Sequence, residues 1–134
     1  MGRIIEIEGI GPEYARRLKE LGIGTTEQLL EAGGTPKGRQ ELAEKTGIGA
    51  KLILEWVNHA DLFRIKGVAE EYSDLLEAGG VDTVVELATR NPANLYQKLA
   101  EINQEKELVR QLPGAKQVAD WVEQAKNLPR KITY

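Results

Sequence analysis

The chain has 134 residues, 18 basic against 21 acidic, for a formal net charge of −3 and a pI near 5.3, which is not the strongly positive balance of a dedicated high-affinity nucleic-acid binder. It contains no cysteine, which excludes disulfides, thiolate metal sites and cysteine nucleophiles and agrees with a reducing compartment. Hydrophobic residues make up 41% of the chain but include one Phe, two Trp and four Tyr, so a core must rest mainly on Leu, Ile, Val and Ala.

No apolar run approaches the roughly 18 residues that a membrane span needs. The start, Met1 to Gly9, has too short an apolar stretch and no cleavage pattern for a secretory signal, and Glu6 stands where a myristoylation signal wants Ser or Thr. A cytoplasmic location is therefore expected, with no membrane partner. Residues 1–62 carry 8 basic and 10 acidic side chains and the remainder 10 and 11, so neither half is a basic module.

Taken in order, Pro12 fits the first position of a helix, and Tyr14, Ala15, Leu18 and Leu21 recur at helical spacing until Gly22, which predicts a helix over 12–21. Thr25 and Gln28 have the spacing of a capping box and open a short helix carrying Leu29 and Leu30. Thr35-Pro36 is an N-cap followed by a first-turn proline, ahead of a helix with Leu42 and Ala43. The turn "TGIGAK" at 46–51 leads into "LILEWVNHA".

The same order then returns. Ile7, Gly9, Tyr14, Leu18 and Gly22 lie over Ile65, Gly67, Tyr72, Leu76 and Gly80 at a constant offset of 58. Thr83 and Glu86 repeat the capping pair, and Asn91-Pro92 repeats the cap and proline ahead of Leu95, Leu99 and Ile102. An insertion around "NQEKELVRQ" shifts the register, after which "LPGAK" and "KQVADWVEQA" match the end of the first half, Trp121 over Trp56 and Ala125 over Ala60. No long alternating segment suggests a strand, so the chain is expected to be all-α with eight to ten short helices. The junction near Asp61 to Arg64 has little Gly or Pro, which predicts two docked halves, 1–62 and 63–134, rather than beads on a linker.

Four glycine turns carry the chemistry. "IEGIGPEYARRL" resembles the helix-hairpin-helix signature, with Gly9 and Gly11 supplying the turn and Ile10 the buried plug. Gly47, Ile48 and Gly49 are a second match, "IKGVAEEYSDLL" a degenerate third with Ala69 in the second glycine position, and "LPGAKQVADWV" a weaker fourth. Four turns in two pairs look like two tandem double helix-hairpin-helix domains. The whole chain from about residue 5, including "TPKGRQELAEKTGI" and "NPANLYQKLAE", also resembles the uncharacterised domain-of-unknown-function family 4332, which implies a fold and brings no activity.

A glycine hairpin at a helix start exposes backbone N–H groups and the positive end of the helix dipole, which suits a phosphate. Such contacts grip a nucleic-acid backbone and read no base sequence. In the helix-hairpin-helix family Lys or Arg often follow the turn, and some turns hold a monovalent cation through carbonyls, the one cofactor the resemblance leaves open. The candidate site residues are Gly9, Ile10 and Gly11 with Arg16 and Arg17, then Gly47, Ile48 and Gly49 with Lys37 and Lys51, and finally Lys116 at the fourth turn. The third turn is followed by Glu70, Glu71 and Asp74 and reads as structural.

The leading expectation is thus a monomeric, non-catalytic module binding DNA or RNA backbone weakly. The competing reading is that the hairpins only turn the chain, leaving a protein-interaction or scaffold module. A third is that Gly33-Gly34, Gly49-Ala50, Gly79-Gly80 and Gly114-Ala115 open a cavity for a small molecule, whether natural or engineered. Trp56 and Trp121 fall on apolar faces and are expected in the core, and the single histidine, His59, is expected at the surface or a helix end. With no cysteine, one histidine and no strand-to-helix glycine loop, neither a metal cluster nor a nucleotide-binding or catalytic signature can be drawn.

Overall fold

The computed structural model describes residues 2–134 and, among them, eight α-helices and no strand. A 3₁₀ turn at Ile4–Glu6 precedes α1 (Pro12–Glu20), α2 (Thr26–Gly33), α3 (Pro36–Thr46) and α4 (Ala50–Leu62). The second half repeats the order with α5 (Glu70–Ala78), α6 (Val84–Ala88), α7 (Pro92–Lys106) and α8 (Ala115–Lys126). The chain is therefore all-α, as its periodicity predicts.

Local chemistry sets the helix starts. Thr25 accepts from the Gln28 N–H at 3.1 Å while Gln28 Oε1 accepts from the Thr25 N–H at 3.1 Å, a reciprocal box at the start of α2. Thr83 accepts from the Glu86 N–H at 3.2 Å, but the Glu86 carboxylate turns to Arg90, so the second box is one-sided. Thr35 and Asn91 cap α3 and α7 by accepting from the N–H groups of Gly38 and Asn94.

Each half builds its own core around one tryptophan. Ile7, Ile10, Leu18, Leu29 and Ile53 surround Trp56 in the first, and Ile65, Leu75, Leu76, Leu87 and Leu99 surround Trp121 in the second. The duplication persists in detail: Tyr14 lies against Trp56 with ring centroids 5.1 Å apart, and Tyr72 against Trp121 at 5.3 Å.

The halves also exchange parts. Leu62, the last residue of α4, belongs to the second core, and Ile132, near the chain end, belongs to the first. The end of the chain is held there by Arg39, a buried cation that donates to the carbonyls of Gly33 at 2.9 Å and Thr133 at 2.8 Å, and by the Thr133 N–H on the Gly34 carbonyl at 2.8 Å. Asp61, 2% exposed, accepts from Arg64 at 2.6 Å and from the Val84 N–H at the start of α6 at 2.8 Å. Arg64 in turn donates to the Pro129 carbonyl at 3.0 Å.

One expectation is corrected by packing. His59 stands in the last turn of α4, the helix end expected of it, but it is buried against side chains of α5 rather than exposed, because the docked second half covers it. The paired glycines differ: Gly49 and Gly114 face open space and Gly34 lines a groove between the halves, but three positions are closely packed. A Cβ on Gly33 would fall 2.6 Å from Val57 Cγ2, one on Gly34 2.6 Å from the Lys131 carbonyl oxygen, and one on Gly79 3.0 Å from Leu99 Cδ2. These positions are small because neighbouring chain fills the space.

Candidate functional site

The eight helix starts divide into two groups. α2, α3, α6 and α7 have a Thr or Asn side chain accepting from their first-turn N–H groups. α1, α4, α5 and α8, the helices that follow the four turns, begin on Gly11, Gly49, Ala69 and Gly114 with no side-chain cap. Their first N–H groups are left for solvent or a ligand.

Charge separates these four further. The first turn of α1 contains Glu13 and that of α5 contains Glu70 and Glu71, whereas those of α4 and α8 contain no acid. At α1 the two arginines are already engaged: Arg16 bonds Glu13 and Glu20 at 2.6 Å each, and Arg17 bonds Glu13 at 3.2 Å. The Arg16 hydrogen bond, joined by that of Arg17, holds the Glu13 carboxyl below the usual carboxylate range. A fixed carboxylate at this helix start opposes an anion there.

At the second turn, Gly47 takes the left-handed conformation that closes α3, its N–H on the Ala43 carbonyl at 2.9 Å. Ile48 turns inward, 4% exposed, and Gly49 opens α4 with Lys51 exposed one residue beyond Ala50. A Cβ on Gly47 or Gly49 would meet open space, so the backbone is approachable. The α8 start repeats this arrangement with Gly114, Ala115 and exposed Lys116, and Gly114 likewise faces open space. Both helices thus begin Gly-Ala-Lys, at equivalent points of the duplication.

The structure assembles the proposed residues only in part. Arg17 reaches across from α1 to the Thr46 carbonyl at 3.4 Å, which places it beside the second turn, and exposed Lys45 lies in the last turn of α3. Lys37 is not there. It stands at the opposite end of α3, about 13 Å from the turn at the helical rise per residue. Ile10 and Ile48 are core plugs, 3% and 4% exposed, and take no direct part in a surface contact.

Gly9 and Gly67 have a second duty. Both sit at positive φ, 94° and 95°, and a Cβ there would lie 3.3 Å from Trp56 Nε1 and 3.1 Å from Trp121 Nε1. The indoles therefore fill the floor of the first and third turns, an architectural reason for glycine independent of any ligand. Among the described residues no group of His, Asp and Glu is placed to hold a metal ion, and no helix is long and apolar enough to cross a membrane.

A groove of about 960 Å³ runs between the halves, with Leu30, Gly34, Phe63 and Val68 in its lining together with acids of α2 and the lysines Lys66 and Lys131. Sequence reasoning considered a cavity at Gly33-Gly34 but missed the Asp61 and Arg39 contacts that join the halves. The one available signal was the i, i+3 spacing of Asp61 and Arg64.

Residues 8–128 match the family described as "Domain of unknown function (DUF4332)", so the chain belongs to that family. Comparison with curated proteins and with solved structures found no match.

Proposed function

Starting from membership of the DUF4332 family, we propose that this protein is a non-catalytic binding module that grips a nucleic-acid backbone weakly and without sequence preference. In this reading the four turns are helix-hairpin-helix elements in two pairs, of which the second and fourth keep the binding role. The supporting observation is the pair of α4 and α8 starts, which alone among the eight helices lack both a capping side chain and a first-turn acid. Free N–H groups, the positive end of the dipole and an adjacent ammonium together favour a phosphate.

Weakness follows from charge. With a net charge of −3, the surface as a whole does not attract a polyanion, so binding rests on local contacts. Two neutralised phosphates give a slope of roughly −2 in log affinity against log salt on duplex DNA.

Fluorescence anisotropy of labelled single- and double-stranded DNA and RNA, at low and near-physiological salt, tests the reading. Binding should fall steeply with salt, and Lys51→Glu and Lys116→Glu should each weaken it by roughly fivefold or more, since each reverses a charge at a phosphate contact. No binding at low salt, or binding indifferent to both substitutions, overturns it.

A protein-interaction role is the second reading. It is favoured by Ile5, 46% exposed beside a shallow hollow that Pro12 and Ala15 also line.

A further inference from the structure

A second polar cluster, apart from the helix starts, lies where α5 meets the first half. The His59 ring places Nδ1 3.4 Å from Ser73 Oγ and 3.7 Å from Asp74 Oδ1, and its Nε2 meets the Glu77 carboxylate. The Ser73 hydroxyl already donates to the Glu70 carbonyl at 2.8 Å, so toward His59 it accepts, and Nδ1 must carry a hydrogen.

On the other side, Glu8, in the turn before α1, acts on the Asp74 carboxyl as a hydrogen-bonding group and as a negative charge, and both raise its pKa. Two carboxyl groups share a hydrogen bond only when one of them is protonated. Glu8 and His59 belong to the first half and Asp74 and Glu77 to α5, so these contacts join the halves.

We propose that Glu8, His59, Asp74 and Glu77 form a clasp that docks α5 on the first half and that, through the Asp74 carboxyl, loosens as pH rises through neutrality. The groups acting on Asp74 are Glu8 from the turn, Glu77 and Glu70 from α5 itself and the His59 ring from α4. α7, which meets α5 where Leu99 packs on Gly79, supplies none of the leading charges.

Burial first, then the Glu8 hydrogen bond and the Glu8, Glu77 and Glu70 charges, push the Asp74 carboxyl up to about 7. The folded chain therefore holds a proton that an unfolded aspartate releases in the ordinary carboxylate range. Its contribution is complete below that range and is lost as pH climbs to about 7. Above that, Glu8 and Asp74 repel each other and Glu77 adds a third negative charge.

Amide hydrogen exchange of the full chain at pH 6 and pH 8, corrected for intrinsic rates, reads the clasp directly. Protection in α5 should fall by roughly three- to tenfold between the two pH values, one proton released near neutrality giving about tenfold at most and exposure of Glu8 reducing it, while α2 stays level. Asp74→Asn, whose amide donates to Glu8 at every pH, should flatten most of that fall, and Glu8→Gln should do the same by the reciprocal bond. Either variant decides the point if the other misfolds. Wild-type α5 protection that does not change with pH overturns the proposal, and so does an undiminished fall in the folded variants.

Discussion

Asp61→Ala is expected to lower the unfolding free energy by about 3–5 kcal/mol, the range for breaking a buried ion pair from one side. Asp61 is 2% exposed and its two oxygens serve separate partners: Oδ1 takes Arg64, and Oδ2 takes the Val84 N–H at the head of α6. Alanine leaves the Arg64 guanidinium, whose side chain is only 14% exposed, without its counter-charge and leaves a buried N–H unpaired. Arg64 also ties the chain near Pro129, so the loss reaches the segment that carries Ile132 into the first core.

For a domain of this size the melting temperature should drop by roughly 10–20 °C, measurable by circular dichroism or calorimetry. Asp61→Asn, which retains an acceptor for Val84, should fall between wild type and alanine. A loss below about 1 kcal/mol for alanine would mean that Arg64 finds another partner and that the junction does not depend on this pair.

Gly38→Ala is expected to destabilise by about 3 kcal/mol, although intrinsic propensity argues the reverse by about 1 kcal/mol in favour of alanine. Gly38 lies in the first turn of α3, and a Cβ there would be driven deep into the Ala32 carbonyl oxygen at the end of α2. That oxygen belongs to backbone and has no rotamer by which to withdraw. Relief requires moving α2 from α3, and with it Arg39, whose guanidinium bridges Gly33 to Thr133. Chemical denaturation of Gly38→Ala beside Gly24→Ala makes the comparison, because a Cβ at Gly24 meets nothing closer than 3.9 Å. A stable Gly38→Ala would show that the α2–α3 corner is compliant.

Much of the fold was legible because its causes are local. Thr25, Thr35, Thr83 and Asn91 cap the helices that their spacing predicts, since a capping oxygen needs only an N–H two or three residues away. The tryptophans were legible for a related reason: apolar spacing along one helix fixes the face that must be buried, and Trp56 and Trp121 are 1% and 0% exposed.

The candidate site was legible at its glycines and less so at its cations. Lys51 and Lys116 follow their turns within the same helix start, so sequence distance and spatial distance agree. Lys37 was grouped with the second turn by nearness in sequence, but the length of α3 separates them. Arg16 and Arg17 counted as free charges until the folded helix brought Glu13 and Glu20 within one turn of them.

The sequence by itself determined the duplication, the all-helical class, the caps and the inward faces, because each depends on residues a few positions apart. Only the tertiary structure decided that His59 is buried among acids, that Arg39 holds the chain end and that Asp61 caps a helix in the other half. Those contacts span from 15 residues of chain (59 to 74) to 94. Nothing in local spacing encodes such pairings, since they arise only when two separately packed cores are docked and each polar group must find its partner across the junction.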